Sequence, residues 1–522
     1  MGDSRGRHRG TGSSEHYGEW CTVPWRRGGD PLWALLFPAP YAVGMANLGV
    51  QLVAYGLQKL GVGVERFFLS LPPLSSLESG RPLRDFPVIT ASVAFEPDAL
   101  TFFRILRDHR IPLSWKDRRD GSYPLIGVGG ALCSLNPTLF QEVADFILVG
   151  DSEPELPYLV AALRAYLRHG DRERLWEELD RRFAIAVPPR ERFDKDLRRS
   201  VCFDLDEHGG HSVWVAPKSV FGGTFLMELQ RGCVRGCPYC TLPSSFSPRR
   251  VRGIDGVREM LSRAAGKVSQ VGLITPEAGD YPHLSPLLEE LRRHSLGVSF
   301  ASLRVDALTE EMLISLTESQ RSSVTIAPET SERLRKRCGK PFSDALILEK
   351  LHMARRWGMH KVKLYYMTGL PEERDEDLEA MAQLAASIVR DVGLDVVVGV
   401  NTFVPKPGSG WARAPFVGVA EGRRRMKFFE EALGRQRLPR ARWVLRSASV
   451  REAALEYALT WADARTSALL VRAVERGDRT EPMLLSAISE VDQGRSVPAP
   501  LQKDLSFAFG ATAPRGGGLC EQ

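Results

Sequence analysis

Three cysteines carry the strongest chemical signal in the chain. Glu228-Leu-Gln-Arg-Gly-Cys-Val-Arg-Gly-Cys-Pro-Tyr-Cys240 places Cys233, Cys237 and Cys240 in a Cys-x3-Cys-x2-Cys pattern. Three thiolates on one tight loop can hold three corners of an iron–sulfur cluster, whereas a [4Fe–4S] cluster normally takes four. An iron left without a protein ligand offers the open position that catalysis at a metal requires. Gly232 and Gly236 are expected to let the loop turn back. Arg231 and Arg235 are expected to offset the thiolate charge. The competing reading is a structural zinc ion, which would want a fourth ligand at motif distance. The nearest upstream candidates, His208 and His211, lie more than twenty residues away, and no Cys or His follows soon after Cys240.

The elements that must position this loop alternate between strand and helix. Strand candidates in residues 221–407 are Phe225–Leu229, Gln270–Ile274, Val298–Ser302, Ser323–Ile326, Val362–Met367 and Val396–Phe403. Helical patterns such as Leu284–Leu296 and Asp375–Val392 lie between them. About six βα units argue for a parallel open or closed barrel, short of the eight of a complete TIM barrel. Residues 31–165 alternate in the same way, through Trp33–Phe37, Val64–Leu71, Phe86–Ser92, Leu125–Val128 and Phe146–Val149. Glycines follow several of these strands, as in a doubly wound α/β domain whose ligands bind at the strand carboxyl ends. Gly61 and Gly63 are read as closing the helix that ends at Leu60.

Residues 166–220 read as a connector and 408–510 as a mostly helical region. Residues 1–30, rich in Gly, Ser and Arg, and the tail 511–522 read as disordered ends.

Bulk composition excludes several classes. The 522 residues are 43% hydrophobic and 26% charged, an ordinary globular balance for a multidomain protein. A net charge of +6 decides nothing about nucleic acid. No apolar run is long enough to span a membrane, and no secretory signal is seen. Eight cysteines in such a length are too sparse for a disulfide scaffold. Their clustering points to metal chemistry in a reducing, cytoplasmic compartment. Cys21, Cys133, Cys202, Cys338 and Cys520 are expected not to bind the cluster.

The cysteine motif, with Tyr239 before its last Cys, resembles the radical S-adenosylmethionine (SAM) family over roughly Phe221 to Pro407. The resemblance implies a partial (β/α)6 barrel and SAM chelating the open iron. It also implies reductive cleavage to a 5′-deoxyadenosyl radical, and a reductase or a flavodoxin- or ferredoxin-type electron donor. Further stretches follow the family's order. Thr275-Pro-Glu-Ala-Gly-Asp280 stands where the family cradles the SAM amino group, which puts backbone at Ala278 and Gly279 against the cofactor. Ser302 and Arg304 end the third strand. Glu329 follows the fourth, where the family contacts the SAM ribose or carboxylate. Gly369 opens Gly369-Leu-Pro371-Glu-Glu373, in which Glu372 replaces a family Gly. Asn401 lies on the sixth strand, where adenine usually sits. Plain structural roles compete: Glu329 as a helix cap, Arg304 in an ion pair, Gly369 as turn chemistry.

The block from Leu32 to about Ala165 resembles the cobalamin (B12)-binding-like Rossmann domain fused to many radical SAM enzymes. It does so through Phe37–Gly49, Gly127–Gly130 and Asp145–Glu153. That family's cobalt-ligand motif is Asp-x-His-x-x-Gly. None of the ten histidines completes it; Asp206-Glu-His208-Gly-Gly-His211 has His in the last place. Cobalamin held here would therefore lack a histidine ligand from that motif, or the fold is kept without the cofactor.

The resulting expectation is an α/β protein. A Rossmann-like doubly wound domain is followed by a partial TIM-type barrel and a helical C-terminal region. Its function is that of a radical SAM enzyme, and a methyltransferase if cobalamin binds. The alternatives are a cobalamin-free radical SAM enzyme, an RNA-modifying relative of the tRNA methylthiotransferases, and a non-enzymatic protein with a structural metal. The sequence identifies no substrate and indicates neither a membrane nor nucleic acid as partner.

Overall fold

The computed structural model describes residues 17–69, 74–190 and 197–494. The N-terminal sheet contains β1 (Leu32–Leu36), β2 (Gly63–Phe67), β3 (Val88–Ser92), β4 (Leu125–Gly129), β5 (Phe146–Leu148) and β6 (Ile185–Ala186). Their order is β2-β1-β3-β4-β5-β6, parallel except for β6. Strand side chains alternate between faces. Ala34, Leu36, Ile89 and Ile126 therefore join one core, and Trp33, Leu35, Val88 and Leu125 the other. The strand order reverses between β1 and β3, and a crevice opens there at the strand carboxyl ends.

The helix Leu48–Lys59 enters that crevice with Asn47 as its N-cap, accepting from the Val50 N–H at 3.2 Å. Gly61 terminates it at φ +79°. Gly63 instead begins β2, and a Cβ there would lie 2.9 Å from the Gly29 backbone nitrogen.

Two expectations at the N-terminal side are corrected. Of the leader, residues 17–30 are packed rather than disordered, and residues 1–16 lie outside the described residues. Trp20–Cys21 pairs antiparallel with Trp214–Val215, and the Glu19 carboxylate meets the buried Arg66 guanidinium. The opposite charge within reach offsets the cost of burying Arg66. The domain also runs past 165: helix Arg172–Asp180 and β6 belong to its sheet and core.

The second block contains β7 (Phe225–Glu228), β8 (Gln270–Ile274) and β9 (Gly297–Ser299) in the order β9-β8-β7. β10 (Ser323–Glu329), β11 (Lys361–Thr368), β12 (Asp395–Thr402) and β13 (Trp443–Ser447) follow in order. A parallel bridge between Leu303 and Ile326 joins the two groups. All adjacent pairs in the block are parallel. β13 is a strand inside the stretch after residue 408, which is otherwise mostly helical as expected.

The remaining C-terminal elements are helices Val419–Arg435, Val450–Thr460, Ala464–Arg476 and Thr480–Gly494. Ala458, Leu459, Leu470, Val474 and Leu484 pack into the core of the N-terminal domain rather than forming their own. The tail 511–522, with Cys520, lies outside the described residues. No helix among the described residues is long and apolar enough to cross a membrane.

Candidate functional site

The cysteine loop is a hairpin at the top of β7. Gln230–Arg231 pairs antiparallel with Arg250–Val251 and brings the chain back over the strand ends. Gly232 takes φ +83°, and a Cβ there would lie 2.4 Å from the Phe246 carbonyl oxygen, so only glycine fits. Gly236 differs from its expected role. A Cβ there would meet open space, and its backbone is outside the left-handed region.

Cys233, Cys237 and Cys240 are free and half-buried. The Arg235 N–H donates to the Cys233 Sγ at 3.3 Å. Behind the loop, a Cβ on Gly339 would lie 3.6 Å from the Cys237 Sγ. Trp411 clamps the loop from the other side, its N–H donating to the Pro238 carbonyl at 2.7 Å.

The two arginines separate. Arg235 stays on the loop and pairs with Asp280, Nε to Oδ2 at 2.8 Å. Arg231 does not serve the thiolates. It turns to Asp151 at 2.9 Å, Glu153 at 3.0 Å and Glu228 at 2.9 Å.

The expected cofactor residues are spread over the same rim. The Tyr239 hydroxyl donates to Glu329 Oε1 at 2.8 Å, and Lys340 Nζ meets the same oxygen at 2.6 Å. Glu329 is buried and sits at φ +67°, a costly conformation for a non-glycine residue. It is not a helix cap: Ser331 caps the helix Glu332–Arg335.

Ala278 and Gly279 lie in a short turn. The Gly279 N–H donates to Glu277 Oε1 at 3.1 Å, and the Arg304 N–H to Glu277 Oε2 at 2.9 Å. The buried Glu277, missed in the sequence, thus joins the second and third strand ends. Arg304 makes the ion pair its plain reading required, with Asp306 at 2.9 Å, and Ser302 is half-buried beside it.

Gly369 takes φ +84° and donates to Glu373 Oε2 at 2.7 Å. Glu372, in the family Gly position, keeps the turn by adopting φ +61° itself. Asn401 is exposed on β12, opposite Met367.

A cavity of about 420 Å³ lies between the two α/β blocks. Its depth is apolar, with Leu57, Phe146, Leu148, Leu156 and Leu159; its rim is polar, with Asn47, Ser92, Ser134, Asp151 and Ser152. Gly130 borders it at φ +102°, where a Cβ would lie 2.5 Å from the Val93 carbonyl oxygen. Glu228, Arg231, Phe246 and Ile274 close it from the second block. No histidine lines it among the described residues.

Three free thiols on one hairpin are a donor set of the kind an iron–sulfur cluster takes. No three His, Cys, Asp or Glu side chains among the described residues converge on one metal ion. Zinc needs its ligands around one point, whereas each cluster thiolate binds a different iron. Burial raises the Cys233 thiol and pushes Cys240 up to about 11, so metal loading must release protons.

Residues 227–385 match the Radical SAM superfamily, and residues 69–188 match the family described as Radical SAM proteins, N-terminal. The chain carries a radical SAM core. It is an enzyme, and the cofactors of its radical SAM core are a [4Fe–4S] cluster and S-adenosylmethionine.

An uncharacterized protein of Methanocaldococcus jannaschii is 26% identical over 412 residues, covering 77% of this chain and 83% of that one. The ribosomal protein uS12 methylthiotransferase RimO of Moorella thermoacetica is 26% identical over 306 residues, 54% of this chain and 68% of that one. In fold, the chain is similar to the radical S-adenosylmethionine methyltransferase TsrM of Kitasatospora setae, solved with cobalamin and a [4Fe–4S] cluster. The TM-score is 0.51 at 14% identity, covering 88% of this chain and 99% of that one.

Proposed function

We propose that the chain is a cobalamin-dependent radical SAM methyltransferase. Its radical SAM core is read as a partial (β/α)6 barrel and its N-terminal block as a Rossmann-type cobalamin domain. The observation that carries the reading is the cavity. It sits at the strand-order reversal, where open α/β sheets bind ligands. It closes against the barrel through Glu228, Arg231 and Ile274, so an occupant would lie next to the cysteine hairpin. The apolar depth suits a planar base, and the polar rim suits the amide-fringed edge of a corrin. The fold likeness to TsrM supports the same reading.

Cys233, Cys237 and Cys240 are assigned to the cluster, and Glu329 with the strand ends at Ala278–Gly279 to SAM. Tyr239, Ser302, Arg304, Gly369 and Asn401 complete the cofactor rim. Cluster and SAM together supply a one-electron cleavage that yields a carbon radical, and cobalamin would supply a methyl carrier. The chain's own part is positional. Lys340 and Tyr239 fix the Glu329 carboxylate, Glu277 ties two strand ends together, and Arg231 holds the hairpin against the cavity rim. The compartment is read as cytoplasmic, with electrons from a reductase, flavodoxin or ferredoxin.

The RNA-modifying alternative has no feature of the C-terminal region behind it. After Trp411 the described residues contribute a single strand, β13, and it extends the core sheet.

Anaerobic reconstitution with iron, sulfide and hydroxocobalamin tests the proposal. Retained cobalamin, with a Co(II) electron paramagnetic resonance spectrum free of nitrogen superhyperfine splitting, is expected. His208 is on the helix Leu205–His208, outside the cavity lining. A nitrogen pattern would overturn the absence of a histidine ligand. Failure to retain any cobalamin would remove the methyltransferase reading and leave the radical SAM core in place.

A further inference from the structure

The inner face of the second block carries an unneutralised cationic row. On β11 and β12, Val362, Leu364, Tyr366, Val396, Val398 and Val400 are buried under the outer helices. Alternation puts Lys361, Lys363 and Tyr365 of β11, Gly399 of β12 and Arg446 of β13 on the opposite face. Register aligns them: Tyr365 pairs with Gly399, and Gly399 with Arg446. The Tyr365 ring is 46% exposed and lies across Gly399, where a Cβ would come within 3.0 Å of its Cδ1. Because position 399 has no side chain, the ring can lie across it, on the strand that separates it from Arg446.

Lys361, Lys363 and Arg446 are exposed, and none of their side chains has an ion-pair or hydrogen-bond partner among the described residues. The acid on this face of β12, Asp395, is taken by Arg442 at 2.6 Å. The facing wall offers no counter-charge. On β7 to β9 the inner positions include Leu226, Gly272, Ile274 and Ser299, and Glu228 is engaged by Arg231. Concentrated like charge on a concave wall attracts an anion. Lys363 precedes the strand end at Thr368 by five residues, about 16 Å at ~3.3 Å per residue. That is too deep for a cofactor bound at the rim.

We infer that the substrate carries an anionic group, phosphate or carboxylate, which Lys363 and Arg446 hold on the inner wall while an unsaturated or aromatic part lies on Tyr365. The reacting carbon then points up to the rim. The inference deepens the proposed reaction by naming its substrate class, and it rests on the barrel being the seat of that reaction.

Two measurements on the full-length reconstituted protein test it, neither requiring cobalamin or turnover. The first is calorimetric binding of pyrophosphate and of citrate to the wild type and to the Lys363→Met/Arg446→Met double variant. Binding of at least one probe, weakened tenfold or more in the variant at unchanged iron content, is expected. Pyrophosphate alone would assign a phosphate, citrate alone a carboxylate. The second is acetylation of the wild type, read by mass spectrometry. The bound probe should slow labelling of Lys363 at least threefold and leave the exposed Lys427 unchanged. Binding that is absent, or equal in the double variant, or that leaves Lys363 unprotected, would overturn the inference. None of those results touches the methyl-transfer reading, which is decided by cobalamin retention.

Discussion

Arg231 leaves the cysteine hairpin and meets Asp151 at the tip of β5, Nη1 to Oδ1 at 2.9 Å, with side chains only 9% and 8% exposed. Arg250 reaches the same carboxylate at 3.1 Å. Asp151 also accepts from the Cys202 N–H at 2.8 Å. The cysteine hairpin and the cavity rim are therefore tied through one buried carboxylate.

Breaking that tie from one side should be costly. Arg231→Met leaves Glu153 and Glu228 without their principal cation, and removing one partner of a buried pair typically costs about 3–5 kcal/mol. Urea denaturation should show a loss of that order, with Arg231→Lys recovering part of it. A loss below about 1 kcal/mol would mean the pair is not buried in solution.

Iron content separates ligands from bystanders. Replacing Cys233, Cys237 and Cys240 together with Ala should abolish iron and reductive SAM cleavage. Cys338 is fully buried in an apolar cluster, and burial pushes its thiol up to about 12. Cys338→Ser should keep its full iron while losing about 1–3 kcal/mol of stability from the buried hydroxyl. Stoichiometric zinc without iron after anaerobic preparation would contradict the cluster assignment.

Glu329→Gln removes the charge that faces Lys340 but keeps an oxygen for Tyr239. SAM should bind at least tenfold more weakly, about 1.4 kcal/mol, with iron unchanged. Unaltered SAM affinity would leave Glu329 a purely structural partner of Lys340.

His211 gives the fold a pH dependence. Burial, then the nearby Arg252 charge, pushes its pKa down to about 4. Lys59 and Arg263 act in the same direction, and the Gly209 backbone opposes. A depressed base is neutral in the fold, so the unfolded chain binds the extra proton first. Its contribution is complete above about pH 6.5 and is lost as pH falls towards 4. A His211→Phe variant should show a flatter fall in melting temperature across that window; an identical slope would assign the effect to other groups.

The cysteine loop was legible because its information is local: residue type and spacing along a dozen positions. The alternation of β1 to β5 was legible for the same reason. What failed depended on distant partners. Residues 17–30 look like a polar leader until Glu19 finds Arg66 and Trp20 finds Val215. Trp443–Ser447 carries an Arg and has no clean apolar period, and becomes a strand by pairing with β12. Arg231 stands two residues from Cys233 in sequence, whereas its partner Asp151 comes from another domain. The cationic inner wall needed strand register, which aligns Tyr365 with Gly399 and Gly399 with Arg446.

The C-terminal helices that complete the N-terminal core also set an order of assembly. The buried Asn136 side chain, just past β4, donates to the carbonyl oxygens of Thr460 at 3.1 Å and Ala462 at 2.8 Å. During synthesis the first sheet therefore leaves the ribosome long before the residues that seal it, and the whole radical SAM core must be made in between. Closing so long a loop is slow, and the face of this core that the closing helices cover stays open to solvent until they arrive. The domain translated first is the last to be finished. A nascent chain stopped before Val450 would present that face to chaperones, however complete its radical SAM core.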